Sequence, residues 1–86
     1  MIKGKIKILA PTGLHVRPAG ELVSLVKKFS SEVKFKNGIK EAKGTSMISI
    51  LAMGLTYGTE IEVHADGDDE TDAVNAIKIF FSNLRN

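Results

Sequence analysis

The chain has no cysteine and no tryptophan, and only two of its 86 residues are proline. Without cysteine it can form no disulfide and offers no thiolate as nucleophile or metal ligand. With only two histidines, it is not expected to carry a dedicated metal site. Aromatic residues are sparse, one Tyr and four Phe, and none is arranged as a stacking platform for bases. No apolar run approaches a membrane span, and the N-terminus alternates charge where a signal peptide would be apolar. A cytoplasmic protein is expected.

What is present suits one small domain over residues 1–86. A 43% hydrophobic content is ordinary for a folded protein of this size and argues against disorder. The net charge of +2 hides an asymmetry. Residues 1–44 hold ten basic and three acidic residues, whereas residues 45–86 hold two basic and seven acidic ones. A basic face for nucleic acid is one reading. Pairing of the two halves inside one domain is the simpler one, and no nucleic-acid partner is expected.

Periodicity gives the element order. Ile2, Ile6 and Ile8 alternate with Lys3, Lys5 and Lys7, the pattern of a half-buried strand. Ala19, Leu22, Val23, Val26 and Phe29 recur at helical spacing, which predicts a helix from about Val16 to Phe29. Val33 and Phe35 alternate with Glu32, Lys34 and Lys36 in a second strand, and Asn37-Gly38 signals a hairpin into a third strand containing Ala42. A strict two-residue turn would point Lys40 inward, so a longer or bulged turn is expected. A short helix begins near Ser46 and stops at Gly54. Ile61, Val63 and Ala65 alternate with Glu60, Glu62 and His64 in a fourth strand. The last helix starts near Asp69 or Glu70, with Val74, Ile77, Phe81 and Leu84 as its apolar stripe, widened by Ala73 and Phe80. The order is β-α-β-β-α-β-α. The outward lysines of the first and second strands both gain from facing Glu60 and Glu62, which puts the fourth strand between them.

The most telling stretch is Gly13-Leu14-His15-Val16-Arg17-Pro18-Ala19-Gly20. It sets a histidine and an arginine where a loop becomes a helix, with Pro18 in the first turn, where proline is tolerated. A helix N-terminus offers unpaired N–H groups and a positive dipole end, which favour anions. Neutral imidazole has a lone pair that can attack phosphorus, and Arg17 can hold phosphoryl oxygens. The plainer alternative is a histidine that only caps the helix beside a solvated arginine. His64 alternates outward on a strand with no helix terminus nearby and reads as a solvated surface residue.

GLHVRPAG, so near the start of a short chain, resembles the HPr family of histidine-containing phosphocarriers in the bacterial sugar phosphotransferase system. Gly44-Thr45-Ser46-Met47-Ile48-Ser49-Ile50-Leu51-Ala52-Met53-Gly54-Leu55 resembles that family's regulatory-serine segment. Ala65-Asp66-Gly67-Asp68-Asp69-Glu70 resembles its entry into the last helix. The likeness spans the chain. It implies an α+β, open-faced β-sandwich whose four-stranded antiparallel sheet, of order 1-4-2-3, is covered by three helices on one face.

The resemblance also implies roles. His15 would accept a phosphoryl group from phospho-enzyme I and pass it to IIA domains of sugar permeases, with Arg17 stabilising it. The protein would be a carrier with a covalent phosphohistidine, rather than a stand-alone catalyst, and would need no metal or bound cofactor. Ser46 would be a regulatory phosphorylation site for an HPr kinase/phosphorylase, with a catabolite-control repressor as partner; as a plain N-cap it would only satisfy a helix donor. The family's usual lysine before this serine is Thr45 here, and its usual glycine at 49 is Ser49. The short helix has more apolar residues than one buried stripe needs, so Met47, Ile48 and Leu51, with Val16 and Gly20 of the first helix, form an expected docking patch. Gly20 stands where the family commonly has alanine. A monomer is expected. The alternatives are a mainly regulatory homologue acting through Ser46 and, from another class, a small nucleic-acid-binding module.

Overall fold

In the computed structural model, which describes residues 1–84, the alternating segments become strands β1 (Ile2–Lys7), β2 (Glu32–Asn37), β3 (Lys40–Lys43) and β4 (Glu60–Asp66). The helices are α1 (Val16–Val26), α2 (Met47–Ala52) and α3 (Glu70–Asn83), and the order is β-α-β-β-α-β-α. The strands form one antiparallel sheet of order β1-β4-β2-β3. β4 lies between β1 and β2, and the charges meet in register: Lys5 and Lys36 lie opposite Glu62, and Lys7 lies opposite Glu60.

The helices cover one face. Ile6, Val33, Phe35, Ile61 and Val63 meet Leu22, Val26, Ile50, Ile77 and Phe81 in a single core. The Phe35 and Phe81 rings pack edge to face, with centroids 6.3 Å apart.

Three expectations shift. The α-helix of α1 closes at Val26, not Phe29; beyond it the turns tighten, with Lys28 N–H donating to Leu25 O and Phe29 N–H to Val26 O. The next two amides, of Ser30 and Ser31, instead donate to the Asp69 carboxylate, each at 2.9 Å. That carboxylate, at the N-cap of α3, ties the end of the first helical segment to the start of the last helix. The hairpin turn is the strict two-residue one, Gly38-Ile39, because Asn37 pairs directly with Lys40. Gly38 supplies the positive φ (+64°) that such a turn demands at its first central position. Lys40 does share the Phe35 and Ala42 side of the sheet, but at the tip, where its side chain is exposed.

His64 is the third correction: it is only 9% exposed. It lies on the helix-free face, but in a central strand, directly opposite Lys3 on one side and Lys34 on the other. Its Nε2 lies 2.9 Å from Glu62 Oε1. Long side chains thus flank, on both sides, a ring that its own strand's alternation marks as outward. Among the described residues no helix is long and apolar enough to cross a membrane.

Candidate functional site

His15 ends the first loop and begins α1. It is the N-cap, with extended backbone (φ −113°, ψ −172°), and its carbonyl accepts the Ala19 N–H at 2.9 Å. Its side chain makes no capping bond, and the residue is exposed. Among the described residues the imidazole is therefore uncapped and open to solvent. The amides of Val16 and Arg17, in the first turn, have no acceptor within the helix, and Pro18 has no N–H to satisfy. This is the positive end of the helix dipole.

The loop is held from behind. Gly13 N–H donates to Ala10 O at 2.9 Å with φ at +73°, and buried Leu14 donates its N–H to the carbonyl of Leu55, also buried. An open cleft of about 500 Å³ lies in front, lined by Thr12, His15, Arg17, Pro18, Glu21 and Leu84. The cleft thus places the Arg17 side chain and the first-turn amides of α1, which lack intrahelical acceptors, on the same side of the molecule as the imidazole. Such groups are the kind of donors that a charged oxygen needs. Glu21 and Leu84 were not singled out as site residues by sequence. Glu21 follows Arg17 by four, the spacing of helix neighbours, which was a usable signal. Leu84 is brought in from the far end of the chain by α3, and nothing local announces it.

A second cluster lies where α2 begins. Ser46 is its N-cap, with its Oγ accepting the Ser49 N–H at 3.3 Å and donating to Ser49 Oγ at 2.9 Å. Met47 packs over Gly20 closely enough that an added Cβ there would lie 3.7 Å from Met47 Sδ. Gly20 is one helical turn beyond Val16. Val16 is 61% and Ile48 81% exposed, whereas Gly20, Met47 and Leu51 are half-buried and Ile50 and Met53 belong to the core. The apolar surplus of α2 is thus divided between core and surface. Among the described residues, no group of three or more His, Cys, Asp or Glu is placed to hold a metal ion.

A family model described as the PTS HPr component phosphorylation site matches residues 2–83. The chain belongs to the PTS HPr family. It is 36% identical over 84 residues to the phosphocarrier protein HPr of Buchnera aphidicola subsp. Acyrthosiphon pisum (strain APS), covering 98% of this chain and 99% of that protein. It is 40% identical over 74 residues to the phosphocarrier protein HPr of Haemophilus influenzae, covering 86% of this chain and 87% of that one. The crystal structure of HPr-C-His from Thermoanaerobacter tengcongensis superposes with a TM-score of 0.93 at 32% identity, over 98% of this chain and 94% of the other. Membership of the HPr family carries the phosphocarrier function of the phosphotransferase system and its phosphohistidine chemistry.

Proposed function

We propose that His15 is the phosphoryl acceptor and Arg17 the residue that stabilises the phosphoryl group. A lone pair of the neutral imidazole forms the new N–P bond as the donor's bond to phosphorus breaks. The donor is phospho-enzyme I, and the acceptors downstream are IIA domains of sugar permeases. The observation that carries this reading is the exposed, uncapped imidazole at the N-terminus of α1, in one cleft with Arg17. A carrier must release what it takes, and an open cleft with few donors suits a group held only briefly.

Val16, Gly20, Met47, Ile48 and Leu51 form the surface on which enzyme I and IIA domains dock. The chain acts as a cytoplasmic monomer built as one domain. Ser46 accepts phosphate from ATP through an HPr kinase/phosphorylase, which places negative charge beside that apolar surface and weakens docking. In that form the protein engages a catabolite-control repressor.

Incubation with enzyme I and phosphoenolpyruvate, followed by intact mass, tests the central step. One acid-labile phosphoryl group is expected on the wild type and on His64→Ala, and none on His15→Ala. Labelling that persists in His15→Ala would sink the assignment.

A further inference from the structure

We propose that the hydroxyl of Ser49 restrains Ser46 as a phosphate acceptor, and so sets how fast a serine kinase can modify it. This rests on the regulatory reading of Ser46 given above. Ser46 Oγ is engaged on both sides by one residue. Its proton is donated to Ser49 Oγ at 2.9 Å, and one of its lone pairs accepts the Ser49 N–H at 3.3 Å. Both serines are half-buried.

Phosphorylation needs that oxygen free. Ser46 Oγ must form a bond to the γ-phosphorus of a nucleoside triphosphate while the bond from that phosphorus to the β,γ-bridging oxygen breaks. The nucleoside diphosphate leaves, and the hydroxyl proton passes to a base on the kinase. In the resting protein this proton is directed at Ser49, so it must be turned away before any base can take it.

The two bonds are separable. The N–H bond is the ordinary N-cap, and any non-proline residue at 49 retains it. The hydroxyl bond exists only with Ser or Thr at 49. Ser49→Ala therefore keeps the cap, suits the helix and releases the proton. Ser49→Thr keeps the hydroxyl and serves as the conservative control.

The test uses the full chain, ATP and a purified HPr kinase/phosphorylase that is active on its own cognate substrate. The readout is kcat/KM for Ser46 modification, with thermal melting confirming that each variant is folded. Ser49→Ala is expected to react about threefold to tenfold faster than wild type, the span that one ordinary hydrogen bond supports. Ser49→Thr is expected to match wild type. Equal rates in all three, a slower Ser49→Ala, or a Ser49→Thr that behaves like Ser49→Ala each overturn the restraint while leaving Ser46 as acceptor. If none of the three is modified, the regulatory reading itself falls and the restraint with it.

Discussion

The backbone N–H of Leu14 donates to the carbonyl of Leu55 at 2.9 Å, and a Cβ on the preceding Gly13 would come within 2.5 Å of that same oxygen. One carbonyl thus receives the His15 loop and also forbids a side chain beside it. The loop that presents the histidine is clamped to the segment leaving α2, which joins the proposed acceptor and the proposed docking surface in one arrangement.

Gly13→Ala should break that arrangement. Its φ of +73° is costly for alanine, and the added carbon collides with backbone that cannot swing aside. A loss of about 1–3 kcal/mol is expected from the strain, together with slower phosphoryl transfer as His15 is displaced. Thermal melting and a phosphorylation time course measure the two effects. An unchanged melting temperature would show that the loop has slack.

Most of the fold could be read from the chain because its pattern is local. Ile6, Phe35 and Val63 alternate with charged neighbours, and lysines set against Glu60 and Glu62 favour β4 between β1 and β2, though the family likeness was needed to fix that order. His64 escaped that logic because it sits in a central strand between Lys3 and Lys34 of its neighbours, a placement that alternation along β4 does not report. The Gly38-Ile39 turn escaped because Lys40 on the inner side is harmless at an uncovered tip. Likewise, the helical pattern running on to Phe29 gave no hint that Asp69, far along the chain, takes the next two amides. At the site, His15 and Arg17 stood out by motif, whereas Leu84 reaches the cleft only after the sheet and α3 have assembled.

Ile48 and Met47 should part company when each is replaced by glutamate. Ile48 is 81% exposed, so Ile48→Glu is expected to change stability by less than about 0.5 kcal/mol. Met47 packs on Gly20 and is half-buried, so Met47→Glu should cost about 1 kcal/mol or more. Both should weaken binding to enzyme I about tenfold or more, as a charge enters an apolar contact. Calorimetry of binding beside thermal melts separates the two. Undiminished binding by Ile48→Glu would remove it from the docking surface.

Acid should loosen the link between the loop after α1 and the start of α3. The Ser31 hydroxyl, then the Ser30 and Ser31 amides, hold the Asp69 carboxyl below the usual carboxylate range. Glu70 is lowered by the Gly67 amide first, and Glu62 by its bond to His64 first. For a depressed carboxylate the folded state binds fewer protons than the unfolded one. Its contribution is therefore full above the unfolded value near ~4 and is lost as pH falls through the folded value. Melting temperature should decline below about pH 4, and Asp69→Asn should flatten part of that decline. An acid limb of equal slope in the variant would exclude Asp69 as a contributor.

Gly20 offers the opposite kind of change, one that should strengthen the protein. Glycine inside α1 costs roughly 0.5–1 kcal/mol relative to alanine, through the freedom it loses on folding. Here nothing forbids the larger residue. Gly20 does not have a positive φ, and among the described residues outside the local helix backbone an added Cβ would meet Met47 Sδ at 3.7 Å, an ordinary contact. Gly20→Ala should therefore raise the melting temperature by several degrees for a domain of this size. The new methyl would also stand beside Met47 in the proposed docking patch, so binding to enzyme I reports whether that position is used. Higher stability with unchanged affinity would mean that the partner passes over it, and higher stability with altered affinity would mean that it reaches in. A fall in stability would show instead that α1 and α2 pack too tightly at this point to admit one carbon.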